Sequence, residues 1–196
     1  MPPFSSDPSN GYEALALDFI RARDTHIGTN ILREWARAFP PGAEVLELAC
    51  GHGVVSQALV DSGLKLFALD ASPTLIRLFQ QRFPTVPTVC EPAEASTFFG
   101  RTFDGVIAIG LLFLLAEEAQ RTVLRKVAGV LRPGGSFLFT APHQQVEWID
   151  ILTRQPSRSL GAPVYEAILR EQGLQVSWGV TDECENHYFL ATKPSL

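Results

Sequence analysis

Along most of the chain, short runs of apolar residues alternate with stretches in which apolar side chains recur every three or four positions. Gly, Pro, Asn or Ser stands at nearly every change of period. Tyr12 to Ile20 has helical spacing, and Ile27, Ile31, Trp35 and Phe39 mark one face of a second helix that Pro40-Pro41-Gly42 stops. Val45 to Ala49 is a first short strand, followed by a Gly51/Gly53 turn and a helix carrying Val55, Ala58 and Leu59 that ends near Gly63. Leu66 to Leu69 is the second strand. Ser72 is a good N-cap with Pro73 at the first helical position, opening a helix whose Leu75, Ile76, Leu78, Phe79 and Phe83 form a buried stripe. Val86 to Cys90 and Phe103 to Ile109 are the third and fourth strands, and Ala119, Val123, Val127 and Leu131 stripe the next helix. Pro133-Gly134-Gly135 turns the chain into a strand at Ser136 to Ala141; a helix from Val164 to Gln172 and strands near Leu174 to Val180 and His187 to Thr192 complete the pattern.

Seven strands, most of them continuous apolar runs rather than two-residue alternations, describe a mostly parallel sheet covered on both faces, a doubly wound α/β fold. No repeat or linker divides the chain, which predicts one domain over residues 1–196: an N-terminal helical cover at 1–40, a binding core at 41–142, and a short cap with the last strands at 143–196. The first ten residues hold three Pro and three Ser and predict a loose tip. Ligands of such sheets bind beyond the carboxyl ends of the strands, which directs attention to the loops there.

Composition narrows the function. Sixteen basic against twenty-one acidic residues give a net charge of −5, the opposite of what binds nucleic acid through its phosphates. The apolar run Val106 to Ala116 is much shorter than the ~20 residues needed to span a bilayer. The N-terminus lacks the pattern of a secretory signal, and Cys50, Cys90 and Cys184 are odd in number and widely spaced, so neither a disulfide framework nor a metal site is expected. The expectation is a cytoplasmic monomer or homodimer, not inserted in a membrane, that acts on a small molecule.

The chemistry concentrates in Glu47-Leu48-Ala49-Cys50-Gly51-His52-Gly53, a turn of small residues between strand and helix where a ligand can approach the backbone and meet unpaired N–H groups. Seventeen residues beyond Gly53, Asp70 ends the second strand, where a carboxylate can accept both hydroxyls of a ribose. A dinucleotide fingerprint wants a third glycine, but Ser56 stands there, and Glu47 would repel a pyrophosphate while suiting an ammonium or sulfonium group.

The turn Glu47-x-Ala49-x-Gly51-x-Gly53, the acid in Leu66-Phe67-Ala68-Leu69-Asp70-Ala71-Ser72, the segment Phe103-Asp104-Gly105-Val106-Ile107 and Leu131-Arg132-Pro133-Gly134-Gly135 follow one another over about residues 40–142. In these four landmarks the chain resembles the class I S-adenosylmethionine-dependent methyltransferases, in particular small free-standing bacterial enzymes of the ubiquinone/menaquinone methyltransferase-like kind. The resemblance implies a Rossmann-like sheet of strand order 3-2-1-4-5-7-6 with the last strand antiparallel, and S-adenosylmethionine as cofactor. It implies that Glu47, Ala49 and Gly51 surround the methionine part, Asp70 holds the ribose, Ala71 and Ser72 flank the adenine, and Ile109 to Leu111 line the methyl end. In the loop after strand three the family's usual acid position is Pro92, so Ala93 is expected at the adenine ring and Glu94 is a candidate for its amino group.

The implied reaction is an in-line displacement at the sulfonium methyl, in which the protein aligns and desolvates two reactants; the acceptor atom, O, N, S or C, stays open. His143, directly after strand five, is the candidate base for a hydroxyl acceptor. Tyr12, Phe113 and Trp148 are candidates to wall the acceptor pocket, and Trp148 lies in an amphipathic segment that reads either as a lid or as ordinary packing. The rival readings are a nicotinamide-dependent oxidoreductase and a non-catalytic module that binds S-adenosylmethionine.

Overall fold

A computed structural model describes residues 7–22 and 28–195. Ile27, His26 and most of the expected loose tip lie outside the described residues. Helices α1 (Ala16–Ala22) and α2 (Thr29–Arg37) precede β1 (Glu44–Leu48). There follow α3 (Val54–Asp61), β2 (Lys65–Asp70), α4 (Pro73–Arg82), β3 (Thr88–Cys90), β4 (Phe103–Ala108), α5 (Glu117–Val130) and β5 (Leu131–Thr140). The rest of the chain forms β6 (Gln145–Ile149), β7 (Pro156–Leu160), α6 (Ala162–Glu171), β8 (Gln175–Thr181) and β9 (His187–Thr192).

Seven strands form one sheet in the order β3-β2-β1-β4-β5-β9-β8. The first five are parallel and β9 runs antiparallel to both β5 and β8. This is the expected topology once β6 and β7 are set aside. Those two strands pair only with each other, as an antiparallel hairpin between β5 and α6. The hairpin is a correction to the seven-strand reading: Gln145–Ile149 is a strand rather than a free amphipathic segment, and Pro156–Leu160 pairs with it although Ser157 and Ser159 are fully buried. A strand that buries serines carries no apolar signature.

Alternate residues of the central strands enter opposite layers, because successive side chains of a strand face opposite sides. Leu46, Leu48, Val106, Ala108, Phe137 and Phe139 pack with Val123, Val127, Tyr165 and Leu169 of α5 and α6. Val45, Ile107 and Leu138 pack on the other face with Trp35, Leu59, Ile76 and Phe79 of α2, α3 and α4. At Gly105 a side chain would collide with the Trp35 and Phe39 rings, 2.9–3.0 Å from where its Cβ would stand, so the glycine lets α2 cross the sheet closely.

The amino ends of the strands are tied by charge. Arg132 bridges Asp104 at 2.8 Å and Glu44 at 2.6 Å, Arg101 reaches Glu44 at 2.8 Å, and the Glu44 amide donates to Asp104. Two of the four sequence landmarks therefore meet in an ion-pair network at the edge of the sheet away from the strands' carboxyl ends. Three expected boundaries move. Helix α1 starts at Ala16, because residues 7–15 are wound into turns about Asp7. Strand β5 starts at Leu131 and absorbs the Pro133-Gly134-Gly135 turn as an irregularity in its pairing with β4. Strand β3 is only three residues long.

Candidate functional site

At the carboxyl ends of β1, β2 and β4 the loops enclose a cleft of about 1080 Å³, its open mouth included. Its floor is the turn after β1. Ala49 and Gly51 both sit at φ +56° and Gly53 at +91°, so three alternate residues adopt the left-handed region. Glycine enters it freely, whereas alanine pays roughly 1–2 kcal/mol. A Cβ at Gly53 would lie 2.3 Å from the Phe83 ring, so this glycine also lets α4 pack under the turn.

Two carboxylates stand at the floor. Glu47 is 3% exposed and accepts a 2.6 Å hydrogen bond from the Ser56 hydroxyl, which fixes its orientation. Asp70 accepts the Gly51 amide on one oxygen and the Ser72 amide on the other, both at 2.8 Å, and so joins the turns after β1 and β2. Burial pushes the Asp70 carboxyl above the usual aspartate range, against the pull of those amides. The Ala71 amide also hydrogen-bonds this carboxylate, whose roughly four acceptor positions leave room for a further donor. Cys50 also faces the cleft, but burial, with Glu47 and Asp70 beside it, pushes its thiol well above the usual cysteine range, so it is a small neutral wall residue rather than a thiolate nucleophile.

The loop after β3 closes one side with Pro92, Ala93 and Glu94. Its shape is held from behind: the Lys126 ammonium on α5 donates to the carbonyls of Ala93 and Glu94 at 3.3 and 2.9 Å and to that of Ser96, and lies 4.7 Å from the centre of the Phe98 ring. Glu94 keeps one buried carboxylate oxygen with no partner. Ile109, Gly110, Leu111, Phe113, Leu114 and Leu115 line the side after β4, where Gly110 donates to the Thr140 hydroxyl at 2.8 Å.

Residues 8–12 roof the cleft as a strap anchored at both ends. Glu13 accepts hydrogen bonds from the Ser72 hydroxyl and from the amide and hydroxyl of Thr74, clamping the strap to the start of α4. A Cβ at Gly11 would stand 3.1 Å from Thr153 and 3.4 Å from Gln155, so the glycine lets the strap pass close to the loop of the β6–β7 hairpin. Tyr12 meets Phe19 edge to face at 5.2 Å, and both line the cleft.

Of the residues singled out from sequence, Tyr12, Glu47, Ala49, Gly51, Asp70, Ala71, Ala93, Glu94, Ile109, Leu111 and Phe113 all line this cleft. Ser72, Trp148 and His143 do not. The Ser72 hydroxyl is spent in capping α4, where it accepts the Leu75 amide, and in binding Glu13. Trp148 stands behind the wall, its ring 5.5 Å from that of Phe113. His143 is stacked on His187 at 4.0 Å, with Trp178 and Phe189 against it edge-on, and burial followed by the neighbouring His187 pushes its pKa down. The imidazole in the lining is that of His52. Sequence reasoning also missed Ser9, Asn10 and Phe19. Phe19 stands seven residues after Tyr12, in step with the helical spacing read over Tyr12 to Ile20, and was readable; Ser9 and Asn10 lie in a turn that carries no periodic signal.

A family model described as a methyltransferase domain matches residues 45–135. A cypemycin N-terminal methyltransferase from a Streptomyces species is 36% identical over 107 residues, covering 52% of this chain and 44% of that protein. A demethylmenaquinone methyltransferase of Mycobacterium bovis is 30% identical over 166 residues, 81% of this chain and 64% of that protein. Of the solved structures, magnesium protoporphyrin IX methyltransferase from Synechocystis with bound S-adenosylmethionine superposes with a TM-score of 0.75 at 15% identity, covering 98% of this chain and 100% of the other. The chain spans about half the length of the curated relatives it matches.

Proposed function

We propose that the chain, whose residues 45–135 match a methyltransferase-domain model, moves a methyl group from S-adenosylmethionine to a small-molecule acceptor in the cleft beneath the strap. The observation that carries this reading is the set of acids at the strand ends. Asp70 is held between two turns with room for a further donor, Glu47 is fixed one strand away, and no Lys or Arg is among the described lining residues. An anionic pyrophosphate has no counter-charge there, whereas a cationic nucleoside does. At the place of a dinucleotide site's third glycine, the Ser56 hydroxyl is bound to Glu47, which supports the same choice.

The residues fit the cofactor. Asp70 takes the ribose hydroxyls, Glu47 the ammonium, and Ala49 and Gly51 let the amino-acid part approach the backbone. Ala71 and the Ala93 amide flank the adenine, and the unpartnered oxygen of Glu94 meets its amino group. Bound there, the cofactor supplies an electrophilic methyl on a sulfonium. Ile109, Leu111 and Phe113 exclude water from that end, which strengthens every electrostatic contact inside, and Tyr12 and Phe113 offer aromatic faces to positive charge. Trp148 acts through Phe113, by fixing its ring. A base role for His143 has no support from its position outside the lining. The strap and the hairpin leave a compact pocket, which favours a small acceptor over a macromolecule. Among the described residues no helix is long and apolar enough to cross a membrane; we read the protein as a cytoplasmic single-domain enzyme, monomeric or homodimeric, with no nucleic-acid partner.

Calorimetry with S-adenosylhomocysteine and NAD tests the cofactor, and methyl-labelled S-adenosylmethionine with a panel of phenols, thiols, amines and quinols tests the transfer. Binding of S-adenosylhomocysteine and label in one acceptor class are expected. Tighter binding of NAD would overturn the reading, and tight cofactor binding with no transfer to any class would make the domain a binding module.

A further inference from the structure

Asn10 is 6% exposed, lines the cleft, and has a buried side-chain amide nitrogen with no hydrogen-bond partner. A buried donor left unpaired is destabilising, so the position is unfavourable unless a ligand supplies the acceptor. The backbone around it is heavily specified. The Asp7 carboxylate accepts the amides of Ser9 and Gly11 at 2.9 Å, the Asn10 amide donates to the Asp7 carbonyl at 2.9 Å, and Asn10 itself sits at φ +50°, a conformation that Asn tolerates better than most residues. Glu13 clamps the same strap to Ser72 and Thr74 on one side, and Gly11 abuts Thr153 on the other. The orphan amide is therefore held on a rigid mount.

The charge of the cleft says what it faces. Glu47, Asp70 and Glu94 are in the lining and Lys and Arg are absent from its described residues. The amino-acid end of S-adenosylmethionine brings a carboxylate into that acidic surface, and only neutral donors are at hand to receive it. Ser9 already donates its hydroxyl to Asp7, and Cys50 directs its thiol to the Gly51 carbonyl. The side-chain amide of Asn10 is unspent. We propose that Asn10 binds the carboxylate of the cofactor through its amide N–H, so that the strap is both roof and cofactor ligand. The inference rests on the methyltransferase reading above.

The test compares S-adenosylmethionine with its decarboxylated form, which lacks only the group in question. Binding is measured by calorimetry for the wild-type chain and for Asn10→Gly and Asn10→Asp, both compatible with a left-handed backbone; thermal melts establish that each variant is folded. A hydrogen bond to a charged group is lost in either variant, so affinity for S-adenosylmethionine should fall about tenfold to hundredfold, most in Asn10→Asp, which sets carboxylate against carboxylate. Affinity for the decarboxylated ligand should not fall. Equal losses for both ligands would assign Asn10 to the packing of the strap, and unchanged affinity for S-adenosylmethionine would leave the amide without this role; either overturns the proposal alone. A wild-type chain that binds neither ligand would overturn the methyltransferase reading with it.

Discussion

Replacing Asp70 by Asn tests the placement of the cofactor most directly. The carboxylate holds the Gly51 amide on one oxygen and the Ser72 amide on the other. An Asn side chain keeps one oxygen and turns its NH2 group toward one of those two amides, donor against donor. The variant therefore loses at least one charge-assisted bond to a ribose hydroxyl, roughly 1.5–3 kcal/mol, which is about tenfold to hundredfold in affinity for S-adenosylhomocysteine. The pH dependence gives an independent reading. Burial holds the Asp70 carboxyl above the usual aspartate range. The ligand prefers the carboxylate, so binding releases a proton below that raised pKa: affinity should climb with pH through it and level off above it, and the Asp70→Asn variant should lack this limb. For the ligand-free protein the sign is the reverse. The folded state binds the proton more tightly than the unfolded chain, so the contribution of Asp70 to stability is full below the ordinary aspartate value and is lost as pH rises through the folded one. Calorimetry and thermal melts from about pH 3 to 8 span the ordinary aspartate range and neutrality. Equal affinities of variant and wild type, or superimposable pH profiles, would refute the ribose assignment.

The Lys126→Met variant removes an ammonium that donates to three carbonyls of the loop after β3, and with it the brace behind Ala93 and Glu94. The expected result is about tenfold weaker binding of S-adenosylhomocysteine, from one or two net hydrogen bonds, with the maximal turnover rate kept, and an unchanged binding isotherm would remove Lys126 from the positioning role. His143→Phe keeps a ring in the stack with His187, Trp178 and Phe189. Turnover by this variant should match wild type in a labelled-methyl assay at saturating cofactor; a loss greater than about tenfold, beyond what repacking alone accounts for, would return His143 to the chemistry.

The side of the cleft at the strand ends is legible because apolar periodicity and a short glycine-rich turn specify it. The carboxyl ends of β1, β2 and β4 follow from the runs at Val45, Leu66 and Phe103, and once the sheet order is set, Glu47, Asp70 and Ile109 must meet. The side formed by the strap and the hairpin is built on another principle. The strap is fixed by contacts between residues about sixty positions apart, Glu13 with Ser72 and Thr74, and begins in a turn organised by one aspartate. The hairpin rests on the Ser159 hydroxyl donating to the Pro142 carbonyl, and on Gln120 reaching the Arg158 carbonyl from α5. Such polar contacts leave no period in the sequence, since a serine or glutamine that satisfies a distant carbonyl is spelled like one that faces water. This explains why the sequence offers Trp148 as a wall of the pocket although its ring lies against Phe113 outside the lining, and why nothing in it anticipates the stack around His143. His143 follows β5 directly, as a base for the cleft should, but β9 pairs antiparallel to β5 and brings His187 across from it. Adjacency to a strand end names the neighbourhood of a side chain, whereas its direction is decided by the strand that lies next to it.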